Sequence, residues 1–241
     1  IEHGQFLKCN GYVNSMIIDS NYLYVAGKFD SIGNKYRTNI AKINLSDFTV
    51  SDWNTSIAGE ILSFEKSGNM MVVGGKISAV NTKKRTGLFI YDREKDSILN
   101  THVNILSDAY FGSRSGYIEH AYLEDSLLYF YGGFNELNGT KANSFGVLNI
   151  YTNNSYSFIL DSNIAFIKDI IVLDSNLFIC GSFRVNNRQT FELRMYDKHT
   201  GLRKALPINI YGASIIQKYG DYVYLANTEF DSTKNINWFG R

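Results

Sequence analysis

The sequence predicts an all-β fold made of repeated four-stranded units. Apolar runs rich in Tyr, Phe, Ile and Val recur along the whole chain, and these residue types fit pleated sheets. Clusters of Asn, Asp, Ser and Gly separate the runs, as expected for turns between strands. No segment keeps a helical period over three turns.

A glycine at the end of an apolar run marks an internal repeat. It follows "LYVA", "MVVG", "LYFY" and "LFIC", and an aromatic or aliphatic residue lies two positions later. The aligned positions are Gly27, Gly75, Gly132, Gly181 and, in a degenerate fifth copy, Asn227. Their spacings of 48, 57, 49 and 46 residues match a propeller blade of four short strands.

Each copy divides into four predicted strands, named a to d from the axis outward. Strand a, such as "SMIID", meets a turn such as "DSN", and strand b then runs to the recurring glycine. A polar loop of about ten residues leads to strand c, and a tight turn such as "REKDS" leads to strand d. We expect the glycine because strand b lies near a crowded axis with little room for a Cβ atom. Lys76 beside it aligns with Lys28, Gly133 and Ser182, so the blade itself does not require a charge there.

The strand count predicts one closed ring over residues 1–241. Four complete blades are predicted at about 11–55, 58–104, 115–161 and 164–210. Residues 211–241 supply three strands, and residues 4–9 supply one strand that can complete the fifth blade as its outer strand. Such closure leaves no exposed strand edge at the ends of the row of blades. Because the chain begins with Ile1, a fragment of a larger ring is the alternative.

Several short motifs carry a family resemblance. They are the apolar-Gly-Gly runs at 72–75 and 130–133, the Tyr-Asp pairs at 91–92 and 196–197, and Trp53 on a predicted strand d. With these motifs the chain resembles kelch-type repeats and the related secreted propellers with "LYVGG-F" blades. It departs from strict kelch repeats because only one complete blade has the late tryptophan. The resemblance implies a propeller fold, whereas related propellers serve as binding platforms, lectins, adhesins and enzymes.

Composition limits the function classes. A net charge of +1 gives no bulk attraction to nucleic acid, and the basic run 83–85 is too short for a nucleic-acid patch. No apolar run approaches the length of a membrane span. Cys9 and Cys180 make no disulfide framework and are expected to be buried as small hydrophobic residues. The four histidines show no metal-ligand spacing, so no metal or cofactor is predicted.

One loop face is predicted to be basic. In a propeller the b–c and d–a loops share a face, and the opposite loops are richer in acid here. The candidate ligand-binding residues in the b–c loops are Lys35, Arg37, Lys83, Lys84, Arg85, Lys141, Arg184 and Arg188. They predict a surface for an anionic protein or acidic glycan. The alternative is that these side chains only keep the loops solvated.

An insertion adds a second candidate on that face. The longer spacing before the third blade places about nine extra residues near 107–116, "SDAYFGSRSG". Tyr110, Phe111 and Arg114 are residue types that dominate interfaces, and long loops on rigid scaffolds often carry binding. A tolerated insertion without function is the alternative.

The first residues of each strand a are predicted to line an axial funnel. The candidates, each within one place, are Asn14, Glu60, Glu119, His120 and Asp169. Paired carboxylates there could act as acid and base on a sugar, could bind a metal, or could only line a wet channel.

From these patterns we expect a non-enzymatic binding module that recognises a protein or an anionic glycan. The resemblance and the chain start favour one domain of a larger extracellular or virion-surface protein, such as a phage tail or adhesin, attached to other domains or subunits. The alternatives are a polysaccharide-acting enzyme and a purely structural docking subunit.

Overall fold

The fold is all-β, which confirms the predicted class. The computed structural model describes residues 7–101, 103–107, 115–156, 164–186, 188–206, 210–219 and 222–226. Within these ranges there is no helix, hence none able to cross a membrane, and the strands form seven separate open sheets. The chain divides into two compact units, Ile1–Lys141 with Gly146–Tyr156, and Ala142–Phe145 with Ser157–Arg241. Closure into a ring stays a prediction.

The first repeat has three of its four predicted strands. The strands are β1 (Tyr12–Asp19), β2 (Tyr22–Lys28), β3 (Ser31–Ile32), β4 (Lys35–Tyr36) and β5 (Ile40–Asn44). β1, β2 and β5 form one antiparallel sheet in that order, whereas β3 and β4 form a separate small hairpin. Strand d is reduced to one bridge between Ile43 and Val50, so Trp53 lies beyond the sheet rather than on a strand.

The second repeat is the most complete sheet of the first unit. The strands are β6 (Ile57–Ser67), β7 (Met70–Val80), β8 (Lys83–Lys84), β9 (Leu88–Asp92) and β10 (Ser97–Ile98). The sheet order is β6, β7, β9, β10, which is the predicted order a to d. β8 pairs with the far end of β7.

The third repeat follows the same plan. The strands are β11 (Ile105–Leu106), β12 (Tyr117–Glu124), β13 (Leu127–Gly133), β14 (Glu136–Leu137), β15 (Thr140–Lys141), β16 (Phe145–Asn149) and β17 (Ser155–Tyr156). The main sheet runs β12, β13, β16, β17, and β11 joins the small β14–β15 hairpin.

The second unit contains two sheets. The strands are β18 (Ile164–Leu173), β19 (Asn176–Val185), β20 (Arg188–Asp197), β21 (Arg203–Lys204), β22 (Ile215–Tyr219) and β23 (Tyr222–Ala226). β18 to β21 form a four-stranded sheet in chain order, and β22 pairs with β23. A core of Ile171, Cys180, Leu193, Ala213 and Ile216 lies between them.

The b–c connections, which the sequence predicted only as polar loops, are β-hairpins. In the first unit they are β3–β4, the β7 extension with β8, and β14–β15. Both turn residues have positive φ at Gly33-Asn34, Asn81-Thr82 and Asn138-Gly139. Such pairs favour a two-residue hairpin turn that matches strand twist. In the fourth repeat β19 and β20 simply pair up to Val185 and Arg188.

A β-bulge opposite the recurring glycine is common to four repeats. Strand a shifts register just after the partner of each glycine, and the extra residues are Asn14, Leu62, Glu119 and Lys168. A Cβ atom on Gly75 would overlap the carbonyl oxygen of Glu60, and the equivalent overlap occurs at the other three glycines. The lack of room for a Cβ is therefore confirmed, and the crowding comes from the bulged strand a.

The core of the first unit lies between neighbouring sheets. Tyr24 of the first repeat packs edge-on against Phe64 of the second, and Trp53 packs against both Tyr24 and Tyr91. The Trp53 indole N–H donates to the Tyr91 hydroxyl. Complete burial of one large apolar side chain contributes about 2 kcal/mol, so these contacts hold the two sheets together.

The chain before β1 lies beside the first hairpin. The Gly33 N–H donates to the Lys8 carbonyl at 2.9 Å, and Cys9 bridges to Ile32. β11 occupies the same place beside the third hairpin. Residues 7–9 therefore belong to the connection that precedes strand a. The predicted outer strand 4–9 otherwise lies outside the described residues.

Candidate functional site

In the first unit, the candidate residues of the b–c loops and those at the starts of the a strands lie at the same end of the sheets. Strand β1 begins at Tyr12, which pairs with Lys28 at the end of β2, and the β3–β4 hairpin follows directly. The other two repeats have the same arrangement. We call this end, with the starts of β1, β6 and β12 and the three small hairpins, the hairpin end.

Reciprocal hydrogen bonds anchor the hairpins. The Asn81 N–H donates to the Ser56 carbonyl at 2.8 Å, and the Ser56 N–H donates to the Asn81 side-chain oxygen at 2.9 Å. Asn138 and Asn104 make the same pair of bonds, both at 2.7 Å. The turns are thus fixed to the incoming chain before any partner binds.

Three of the candidate lysines are presented freely on these hairpins. Lys83, Lys84 and Lys141 are exposed, and no ion pair is recorded for them in the described part of the chain. Arg85 is half-buried just beyond β8. The hairpin of the second repeat therefore carries uncompensated positive charge, whereas in the hairpin of the third repeat Glu136 lies opposite Lys141.

The first hairpin differs because its charges have a partner. The Lys35 ammonium lies 2.6 Å from an Asp52 carboxylate oxygen, and Arg37 lies 3.7 Å from the same atom. Arg37 is buried and donates to the carbonyls of Tyr36 and Ser51. The hydrogen bond from Lys35 holds the pKa of Asp52 below its usual range. The buried Arg37 side chain therefore links the β3–β4 hairpin to the segment that follows β5.

The remaining loop candidates belong to the second unit or lie outside the described residues. Arg184 and Arg188 are exposed at the tip of β19 and β20 in the second unit. Tyr110, Phe111 and Arg114 lie outside the described residues.

Near the starts of β6 and β12, polar side chains of the second and third repeats lie close together. The Lys76 ammonium lies 3.2 Å from a Glu60 carboxylate oxygen and 5.8 Å from the centre of the Tyr117 ring. The Tyr117 hydroxyl lies 3.5 Å from a Glu119 carboxylate oxygen. The Asn14 side-chain amide donates to the Ile61 carbonyl at 2.8 Å. We call Glu60, Lys76, Tyr117 and Glu119 the inner cluster.

The local backbone explains why these side chains meet. Asn14 and Glu119 are themselves bulge residues, and bulges re-aim side chains. The Tyr117 ring lies over Gly133, where a Cβ atom would overlap it. Partial burial, followed by the nearby Glu119 charge, raises the pKa of Tyr117. Its hydroxyl therefore stays protonated and can donate a hydrogen bond.

His120 and Asp169 make contacts other than those of the inner cluster. His120 lies one residue past the bulge, beside the Tyr131 ring at 5.9 Å, and burial lowers its pKa. Asp169 belongs to the second unit and accepts the N–H groups of Ile216 and Ile170, both at 2.9 Å. Burial raises its pKa to about 6, although these two bonds lower it. His120 also lies 3.9 Å from a Glu65 carboxylate oxygen, and Asp169 joins β18 to β22.

The sequence did not identify Lys76 and Tyr117 as members of this cluster. Lys76 was set aside because its equivalents are not all charged. The available signal was Gly133, whose missing side chain makes room for Tyr117. No group of three or more His, Cys, Asp and Glu side chains suited to a metal ion occurs in the described ranges.

Comparison with known proteins adds no family to this geometry, because the chain matches no protein-family model and no curated protein sequence.

Proposed function

We propose that this chain is a non-enzymatic binding module whose hairpin end recognises an anionic partner, an acidic glycan or an acidic protein surface. The observation that carries the proposal is the free exposure of Lys83, Lys84 and Lys141 on anchored hairpins. A surface that is already ordered loses less conformational entropy when it binds. Exposed cations also attract anions over about 8 Å at physiological salt.

We also propose that the repeats are blades of a kelch-like, five-bladed propeller. The shared strand order and the recurring bulge support this proposal. So does the face of β1, where Met16 and Ile18 are 63% and 68% exposed. The equivalents of Met16 in the next two repeats, Phe64 and Ala121, are 2% and 0% exposed. This difference favours a further sheet of the same kind over β1.

A place in a larger extracellular or virion-surface protein, such as a phage tail or adhesin, is the setting that fits such a module best. Its support is the resemblance to secreted propellers. A ring that presents hairpins at one end leaves its other surfaces free for attachment to neighbouring domains or subunits.

A matched pair of polymers tests the charge-based proposal. Dextran sulfate and neutral dextran share a backbone and differ in charge. We expect the protein to bind immobilised dextran sulfate, and Lys83→Ala/Lys84→Ala to weaken that binding about tenfold. Lys95→Ala/Lys218→Ala removes the same charge from the turn between β9 and β10 and from the end of β22, and is the control. Equal binding of the two double variants, or no binding to dextran sulfate, contradicts the proposal.

A further inference from the structure

We infer that the last sheet of a second copy of this chain packs over β1, so that copies associate head to tail. The inference rests on the proposed ring of like sheets and names the source of the sheet over β1. A five-bladed ring then takes its last sheet from a neighbouring copy, by exchange of an identical element.

The β1 face, defined by Met16 and Ile18, is one half of a contact between repeats. Both side chains are exposed on it. In the second repeat the position of Met16 is taken by Phe64, which is buried and packs edge-on against Tyr24 with the ring centres 6.2 Å apart. An exposed apolar face that the next repeat buries against a neighbouring sheet marks an interaction surface.

The last sheet, β22 with β23, has the residues of the other half. Its register places Tyr224 opposite Gln217, just as the register of the first sheet places Tyr24 opposite Ile17. Tyr224 and Tyr24 are each the third residue of the second strand, and "YVYLA" in β23 repeats the pattern of "YLYVA" in β2. Tyr224 is therefore the equivalent of Tyr24.

The two sides of the last sheet have different surroundings. Ile216 is buried, and Leu225 opposite it packs against the core that this sheet shares with the fourth repeat. Tyr224 and Ile215 belong to the other side and are 39% and 41% exposed. Tyr24 is only 4% exposed, so the side that the first sheet buries against its neighbour is accessible in the last sheet.

The two exposed faces are complementary in chemistry. Tyr224 over Met16 repeats the contact of Tyr24 with Phe64, and a methionine sulfur beside an aromatic ring is favourable. Because the two faces are different surfaces of the same chain, copies join head to tail and not through one shared patch. The smallest closed assembly is a dimer in which each copy covers β1 of the other.

Sedimentation velocity over a range of protein concentrations tests this assembly. We expect the parent to form dimers and Met16→Asp and Tyr224→Asp each to be monomeric, because either aspartate would be buried without a partner. An equimolar mixture of the two variants should form a heterodimer, since the last sheet of the Met16→Asp copy can still cover the unchanged β1 face of the other. Only one of the two contacts then forms, so the dissociation constant should exceed that of the parent about tenfold or more.

Two controls separate a lost contact from a lost fold. Tyr151→Asp introduces the same charge at another exposed tyrosine and should remain dimeric. Circular dichroism checks that each variant folds. Met16→Ser and Tyr224→Ser repeat the mixing experiment with smaller changes if an aspartate variant does not fold.

The outcomes distinguish this inference from the proposed ring. A monomeric parent in which Met16→Asp is less stable than Tyr151→Asp means that the ring closes within one chain, so the inference is wrong while the proposed function stands. A monomeric parent in which these two variants are equally stable contradicts both. Dimers that persist in both single variants use another surface and also overturn the inference.

Discussion

At the residue scale, Gly75 determines the path of the strand beside it. Strand β6 bulges toward β7 at this point, and the Glu60 carbonyl occupies the space where a side chain would begin. The obstacle is backbone, which cannot turn aside as a flexible side chain can. The same position in three other repeats meets the same obstacle.

We therefore predict that Gly75→Ala lowers the free energy of unfolding by about 3 kcal/mol, because the two strands must separate or lose the bulge. Urea denaturation measures this change. Gly139→Ala is the control, since nothing lies near its Cβ position and only its positive φ of 81° is unfavourable. A Gly75→Ala protein no less stable than Gly139→Ala would contradict the explanation.

Asp169 is a half-buried carboxylate whose charge opposes folding. Burial raises its pKa from 3.8 to about 6, and the buried thiol of Cys180 lies opposite it in the sheet. The folded state therefore binds this proton more tightly than the unfolded chain does. The resulting stability is complete below about pH 4 and is lost as the pH rises through about 6.

We predict that the parent protein loses about 3 kcal/mol of stability over that pH range and that Asp169→Asn removes this slope. The asparagine oxygen can still accept the Ile216 N–H. Thermal or urea unfolding from pH 4 to pH 7 measures the slope. Asp174→Asn, an exposed aspartate in the adjacent turn, should leave it unchanged. An identical slope in the parent and Asp169→Asn would show that another group is responsible.

At the element scale, the small hairpins depend on asparagine at the turn. Asn81 has a φ of 46° and exchanges two hydrogen bonds with Ser56. Asparagine tolerates this left-handed conformation and also supplies the accepting oxygen. The turn, the incoming chain and the lysines of β8 are therefore coupled.

We predict that Asn81→Ala costs about 2 kcal/mol, roughly half from backbone strain and half from the lost hydrogen bond. Asn81→Gly keeps the turn conformation and should cost only the hydrogen bond. Hydrogen exchange at the Ser56 amide reports the local effect and should be faster in both variants. Unchanged exchange at Ser56 would mean that the side-chain bond does not hold the hairpin.

At the scale of the whole molecule, the face of β1 with Met16 and Ile18 tests the propeller proposal. If another sheet covers this face, Met16→Asp buries a charge and should cost about 3 kcal/mol. An aspartate on an exposed face changes stability by no more than about 0.5 kcal/mol. Tyr151→Asp, at an exposed tyrosine, is the control in urea denaturation. A Met16→Asp protein as stable as this control would leave the face uncovered and the ring open.

Much of the fold was predictable from local patterns. The spacing of Gly27, Gly75, Gly132 and Gly181 gave the repeat, and the apolar runs before them are β2, β7, β13 and β19. The hairpins were missed, although Asn138-Gly139 is a strong hairpin-turn signal. The short strands on either side of the turn were not recognised, because their residues are polar and lack the alternation of apolar and polar side chains that marks a strand with one buried face.

The candidate site was predictable only in part. Glu60, Glu119 and Asn14 were placed correctly near the starts of the a strands, since strand position follows from the repeat. The contacts that link Glu60 to Glu119 through Lys76 and Tyr117 were not predictable, because they join residues of different repeats. The sequence also did not show that Arg37 is buried whereas Lys83 and Lys84 are exposed, because burial depends on packing and not on residue type.

The sequence alone determined the all-β class, the repeat and the strands a to c, because alternation, turn residues and a recurring glycine act within a few neighbouring positions. The tertiary structure decided the bulges, the free lysines and the inner cluster. Those features depend on register and on the approach of one sheet to the next. A shift of one residue turns a side chain to the opposite face, and no local pattern fixes that choice.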